Sequence, residues 1–550
     1  MMTRMLSRRL ANRDDAGFAM LTVLLAMVIL TLLGSALLAN GLTALPLARH
    51  QQDFNAALGA AEAGIDDYIA RLNQNYNYAT SPDGNLAFTG FVPVSGGSPS
   101  SYTYAVDSSQ LATSGGIALS VTGRTGKVTR TVRVGLRPYG FLDALSQTDY
   151  NLVDPALFPL PGMDVAQTMA ACKYHAWQAG PGPGGRGPSS ACGGLLNYWV
   201  TGNVLDGPMQ SNDDYYLCGK PQFNDTVDSG DPFVAGAPYW RDPFGGCGGD
   251  APVFKAGPPT GQHLITLPPS SKALQSKTTP GVAGTGCLYT GPTAITITGA
   301  TMTVLSPDTK LTNANCVGKN VPLPVNRTIY VQDIPGTGDP NFGVCMIAVT
   351  WSGDACDKGD AFVRGTLTDE LTIVADNNII LTGDVTYDSF TATGPRRVLG
   401  LIATNSVLVN HPVMNTGCAA GTADPAGWCN VTGTVAFGSD NYAVPLNNPT
   451  INAAMVSLQH SFSVLNFDKG LTTGLGAVHL KGSVAGLFMD TEGVFGGGGA
   501  LIHGYDVDYG YDRRLRNGGL VPPNFLEPAS TFWHRISFTD CSSGATVRSC

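Results

Sequence analysis

"RDDAGFAMLTVLLAMVILTLL", residues 13–33, decides how the rest of the chain is read. Charge stops at Asp15, and no Asp, Glu, Lys or Arg occurs from Ala16 to Ala48. That run exceeds the ~20 apolar residues that cross a bilayer as a helix. The arginines ahead of it, Arg4, Arg8, Arg9 and Arg13, predict a cytoplasmic N-terminus by the positive-inside rule. A secretory signal has an apolar core of only ~7–15 residues and ends at small residues where it is cut. No such boundary closes this run, so the apolar segment is expected to stay on the protein.

The helix is expected to continue past the apolar run. In "RHQQDFNAALGAAEAGIDDYIARL" (49–72), Phe54, Leu58, Ala61, Ile65, Tyr68, Ile69 and Leu72 recur at steps of three and four, the stripe of an amphipathic helix. Gln51, Gln52, Asp53, Asp66, Asp67 and Arg71 fall elsewhere around it. Pro46 is expected to kink the junction without ending the helix. A single helix over about residues 18–72 would be ~80 Å long. "SYTYAV" (101–106), "IALSVT" (117–122) and, after the turn "GRTG", "KVTRTVRVGL" (127–136) alternate as half-buried antiparallel strands do. Helix followed by a small antiparallel sheet is an α+β pattern.

Residues 141–290 show little periodicity. "QAGPGPGGRGPSSACGG" (178–194) has loop composition, and Cys172, Cys192, Cys218 and Cys247 are expected to staple an irregular region. Over 291–510 paired apolar bursts recur. "LTIVADNNIILTGDVTY" (371–387) and "VLGLIATNSVLVNHPV" (398–413) each break at a polar corner, and "INAAMVSLQHSFSVLN" (451–466) and "AVHLKGSVAGLF" (477–488) follow. Strand, corner, strand is the rung of a β-solenoid, with asparagines tolerating a left-handed corner. The expected fold class is therefore α+β: a long helix on a small antiparallel sheet, then a large mainly-β domain. That domain is expected to be an irregular right-handed β-helix, with an ordinary β-sandwich as the alternative. The expected divisions are 1–17, 18–75, 76–140, 141–290, 291–510 and a C-terminal extension, 511–550.

Composition agrees with a turn-rich β protein: 69 Gly and 36 Pro in 550 residues, 43% hydrophobic and only 13% charged. A net charge of −9 gives nucleic acid no footing. Twelve cysteines, all from Cys172 onward, imply disulfides in an oxidising compartment. Besides the four named, they are Cys287, Cys316, Cys345, Cys356, Cys418, Cys429, Cys541 and Cys550. Pairing between sequence neighbours is the simplest expectation, with Cys345–Cys356 and Cys418–Cys429 closing the shortest loops inside the β region. Structural zinc is the rival, but it calls for CxxC or CxxH knuckles and the sequence has none. No metal and no cofactor is expected.

Three features together resemble a known family: the basic leader ending in Gly17, the Phe18 after it, and the uncharged helix. This is similar to the class III signal of type IV prepilins. The resemblance implies cleavage by a prepilin peptidase after Gly17, methylation of Phe18, and assembly with other pilins through the retained helix. Pilins usually carry Glu at the fifth mature position, which here is Thr22. "AAEAGI" (60–65) is similar to the same point in minor pilins of the PilX type. "NNIILTGDVTY" (377–387), "LGLIATNSVLVNHPV" (399–413) and "GYDRRLRNGGLVPPNFLEP" (510–528) resemble the distal domain of large PilX-like pilins and pilus-assembly proteins. The resemblance implies a single-pass membrane protein that passes into a pilus at the cell surface. Its head would be extracytoplasmic and available to a polysaccharide or protein ligand. A low copy number and a place near the pilus tip are expected from Thr22 and the bulk of the head.

No catalytic constellation is legible. HExxH, GxSxG and a phosphate loop are absent from the sequence. His411, His460, His479 and His503 are scattered, and "DRRLR" (512–516) reads as an ion-paired surface turn. Asp376, Asp384 and Asp388 are the one carboxylate cluster of the kind that β-helix enzymes use on polysaccharides. The expectation is no enzyme. The alternatives are a permanently anchored surface adhesin and, behind it, a carbohydrate-active β-helix.

Overall fold

The computed structural model describes residues 15–80, 84–96, 98–111, 115–173, 175, 191–230, 240–241, 251–261, 263–313, 315–336, 357–390, 396–431, 436–437, 440–441, 444–472, 475–496 and 500–541. They form two units, one of residues 1–137 with 533–550, the other of 138–532.

In the first unit a single helix, α1 (Asp15–Gln74), runs for 60 residues and carries Pro46 inside it. Its C-terminal half lies on an antiparallel sheet of β1 (Val92–Pro93), β2 (Ser100–Asp107), β3 (Ile117–Thr125) and β4 (Val128–Pro138). The β3–β4 turn is Gly126–Lys127 rather than the "GRTG" read from the sequence. Gly123 and Arg124 still pair, with Arg130 and Thr129. Tyr102, Tyr104, Leu119, Val121, Val132, Val134 and Leu136 supply the buried face at alternate positions. The fifth strand of this sheet, at the end beyond β4, is Trp533–Cys541. Trp533 N–H donates to Asn73 Oδ1 at 2.6 Å, and Arg130 Nε donates to Asp540 Oδ1 at 3.2 Å. The supposed C-terminal extension is thus split: its last strand completes the N-terminal sheet. No local pattern betrays a partner some four hundred residues away.

The second unit is therefore inserted between β4 and that last strand. Its ends adjoin, Tyr139 N–H donating to Phe532 O at 2.8 Å. It is β-rich, a curled sheet built from two parallel ladders. The first contains Cys287–Thr290, Thr328–Gln332, Glu370–Ala375, Val398–Ala403, Ala454–Ser457 and the end of Ala477–Phe488. The second contains Thr293–Gly299, Ala361–Leu367, Ile379–Tyr387, Val407–Val409, Phe462–Val464, Thr450–Ile451, the start of Ala477–Phe488 and Asp506–Tyr511. Successive passes of the chain give one strand to each ladder. Ala477–Phe488 crosses from one to the other at Gly482, where a Cβ would fall 1.7 Å from Ala453 O. All these pairings are parallel, where an ordinary sandwich of hairpins is antiparallel.

The first ladder is covered on both faces. Ile373, Leu401, Met455 and Val484 line up inward, and their neighbours Val374, Ile402, Val456 and Ala485 pack outward against Ile265 and Leu274. This is why those strands read as continuous apolar runs. The corners differ from expectation. Among the described residues the non-glycines at positive φ are Asn320, Arg327, Asn448, Asn466, Asn517 and Asn524, not the corner asparagines Asn377, Asn378 and Asn405. Asn377 and Asn378 instead turn the chain through hydrogen bonds to Asp360 Oδ1, at 2.8 and 3.0 Å.

The region read as irregular adds further rungs. Ser146–Tyr150 pairs with the end of Ala477–Phe488, and Met209–Ser211, Val227–Ser229 and Thr260–Gly261 stack beyond it, all parallel. These strands are two to five residues long and bury Gln147, Thr148, Gln210, Ser211 and Ser229. They leave no hydrophobic period to read. Disulfides join Cys172–Cys192, Cys287–Cys316 and Cys418–Cys429, and Cys218 and Cys541 are also disulfide-bonded. Cys247, Cys345, Cys356 and Cys550 lie outside the described residues.

Candidate functional site

From Phe18 to Leu37, α1 presents 20 residues of mean hydropathy 2.5, none of them buried. Burying a side chain such as Leu, Ile or Phe is worth ~1.5–3 kcal/mol relative to exposure, so this bare stretch calls for an apolar surrounding. It is long and apolar enough to cross a membrane. Its hydroxyls are satisfied within the helix. Thr22 donates to Phe18 O at 3.1 Å and Ala19 O at 2.9 Å, Thr31 to Val28 O and Ser35 to Leu32 O. A hydroxyl bonded in this way tolerates an apolar environment. Gly17 and Phe18 both lie in α1, and the leader before Asp15 is outside the described residues.

The second half of the helix is bound to its sheet by small residues. Ala57, Ala60, Ala61 and Gly64 let α1 approach so closely that a Cβ on Gly123 of β3 would sit 1.9 Å from Ala57 O. Below them Ile65, Tyr68 and Leu72 are buried, as the stripe predicts. Tyr68 packs its ring against Tyr78 and Tyr104 at 5.4 and 5.2 Å. Asn85 donates to both the Tyr78 and Tyr104 hydroxyls. One helix therefore has one half anchored and the other half bare.

The titratable groups flagged in the sequence do not converge. His411 is fully buried between Leu465 O and Asn430, and burial pushes its pKa down. His460 lies against Asp154, His479 against Asp508, and His503 against Gly470 O. Asp376 accepts from Tyr330 and Lys272, Asp384 from Thr450 N–H, and Asp388 pairs with Arg397. Each of the three carboxylates thus serves a different local bond. In "DRRLR", Arg514 folds back on the buried Asp512, Arg513 reaches Asp206 and Arg516 reaches Asp225. Among the described residues no three His, Cys, Asp or Glu side chains stand close enough to hold a metal.

Sequence reasoning missed a buried carboxyl pair, Asp490 and Glu492. Burial pushes the Glu492 carboxyl up to about 7, and burial followed by the neighbouring Glu492 pushes Asp490 well above the carboxylate range. Tyr509 donates to Glu492, and Ser146 donates to Asp490 Oδ2 at 3.3 Å. The signal was present in "MDTEGVF" (489–495): two acids one residue apart in an apolar stretch, although in the structure they fall between strands, on either side of the isolated bridge at Thr491.

No family model matches the chain, and no curated protein matches it. Among solved structures it is similar to the competence-associated pilin ComZ from Thermus thermophilus. Identity is 13%, the match covers 89% of this chain and 98% of that one, and the TM-score is 0.23. At that TM-score the superposition carries no weight for fold or function.

Proposed function

We propose that this protein is a pilin-like subunit of a type IV pilus, PilX-like in kind, which adds to the fibre through α1 and displays the second unit outside the cell. The observation that carries the reading is the division of α1: twenty bare apolar residues continuous with a half that is clamped to an antiparallel sheet. A bilayer supports the bare half before assembly, and the helices of neighbouring subunits replace it afterwards. The leader with Gly17 and Phe18 supplies the processing signal. In the same reading the parallel ladders wind as a right-handed β-helix, and the protein has no catalytic role. Asp376, Asp384 and Asp388 are each spent on a separate local bond. The subunit sits at low copy near the tip. Thr22 bonds its own helix and offers no carboxylate to a neighbour's N-terminal amine.

That same Thr22 geometry favours a second reading, a surface adhesin kept in the membrane and never polymerised. Mass spectrometry of the mature N-terminus separates the two. The pilin reading expects an N-methylated Phe18, and it expects Gly17→Val to retain the leader because a branched side chain blocks a peptidase fitted to glycine. An intact leader on the wild-type protein, or its loss from Gly17→Val, would overturn it.

A further inference from the structure

Three neighbouring strands of the second ladder place Thr450, His479 and Asp508 in one row, each in register with the next. They floor a cleft of about 600 Å³, within the ~300–1,000 Å³ of ordinary ligand sites. Asn452, Lys481 and Phe390 complete its working surface. Lys481 stands opposite Gly510, which leaves the space beside it open.

Both arginines lining the cleft are held by carboxylates, and its lysine is not. Arg513 is held by Asp206 at 3.2 Å, Arg514 by Asp512 at 2.6 Å, and His479 by Asp508 at 2.8 Å. Lys481 has no carboxylate partner among the described residues; its ammonium rests 4.2 Å above the Phe390 ring. Asn452 is only 5% exposed, yet its side-chain amide has no hydrogen-bond partner among the described residues and lines the cleft. That amide is not among the side-chain groups sealed from solvent without a partner, so it is open to a ligand. It offers a donor and an acceptor side by side, the pattern that two adjacent hydroxyls satisfy. The apolar side chains that line it are Phe390, Leu480 and Tyr511. A polyphosphate would need several unpaired cations, and only Lys481 qualifies among the described lining residues. Many hydroxyls with a single negative charge placed at Lys481 is the chemistry that fits.

We propose that this cleft binds an acidic saccharide through one of its uronate sugars. Lys481 takes the carboxylate, and Asn452, Thr450 and the His479–Asp508 pair take the hydroxyls. That an external polysaccharide meets the cleft rests on the second unit being displayed outside the cell; the binding itself does not. The test is calorimetric titration of the full chain in detergent with galacturonate, glucuronate and mannuronate trisaccharides and with the methyl ester of each. Saturable binding of at least one acid is expected, roughly tenfold weaker for its ester. Lys481→Gln, an exposed substitution that leaves the fold intact, should weaken the acid roughly tenfold and leave the ester unchanged. Asn452→Ser should weaken both. The proposal fails if none of the three acids binds saturably, if acid and ester bind alike, or if Lys481→Gln leaves the acid's affinity untouched. An unprocessed N-terminus together with uronate binding would sink the pilin reading alone; a methylated Phe18 without uronate binding would sink the cleft alone.

Discussion

Two sets of rungs share one ladder in the second unit and are built on opposite principles. Along a single row the residues run Val374, Ile402, Val456, Ala485 and then Gln147, Gln210, Asp228. The backbone pairing is parallel throughout, while the side chains change from apolar to polar at the point where this ladder's latest strand in sequence meets its earliest. In the apolar rungs stability comes from area removed from water, which is non-directional. In the polar rungs many groups bond to a named partner, while Gln147 Oε1, Gln210 Oε1 and Asp228 Oδ1 are buried with none among the described residues. Thr148 donates to Asn151 Oδ1 at 2.7 Å, Asn151 donates through its amide to Asp214 O at 2.7 Å, and Asn151 N–H donates to Asp213 Oδ2 at 3.0 Å. The difference teaches that a ladder sets where side chains stand and leaves open what holds them.

The sharpest way to break that contrast is to remove one group from the polar set. Asp213 is fully buried and accepts from the backbone N–H groups of both Asn151 and Asp214. Asp213→Ala orphans two buried donors, at ~1–3 kcal/mol each, so a loss of roughly 3–5 kcal/mol is expected. The apolar set should forgive a change of shape: Leu401→Met, equally buried, keeps volume and should cost under ~1.5 kcal/mol. Thermal unfolding of the full chain followed by circular dichroism measures both. Equal midpoints for the two variants would show that the rungs do not differ in kind.

At the seam between the two sets lie Asp490 and Glu492, and pH sharpens the comparison there. An ordinary Glu titrates near 4.5, whereas buried Glu492 titrates near 7. Between those values the folded protein holds a proton that the unfolded chain has released. Stability from this group is therefore complete below about 4.5 and is lost as pH rises through about 7. Unfolding midpoints should fall from pH 5 to pH 8, roughly the window those two values define. Glu492→Gln still accepts from Tyr509 and should flatten the fall. A midpoint that rises across the same range would reverse the assigned sign.

The contrast also explains what was legible in the sequence. The bare helix could be read because length and absence of charge suffice, and its packed half because Ile65, Tyr68 and Leu72 keep helical spacing. The apolar rungs could be read because burial on both faces writes itself as "LGLIA" and "IIL". The polar rungs could not, since Gln147, Thr148, Gln210 and Ser211 look like loop residues until their partners are known. The last strand of the first sheet was hidden by distance along the chain. The cleft was hidden for a related reason: Thr450, His479 and Asp508 come from three strands, and only their parallel register makes them neighbours.

The smallest expected effect lies outside both sets of rungs. Arg513 and Asp206 meet at 3.2 Å with side chains 63% and 54% exposed. Water solvates both groups in the unfolded chain nearly as well, and holding two flexible side chains in one geometry costs entropy. Arg513→Ala should therefore change stability by less than ~1 kcal/mol. At 1 M salt, where charges are screened beyond ~3 Å, the difference between variant and wild type should shrink further. Double-mutant analysis with Asp206→Ala isolates the pair from any effect of shortening the arginine stem. A coupling as large as the loss expected for Asp213→Ala would mean that the surface, and not the interior of the ladder, holds this unit together.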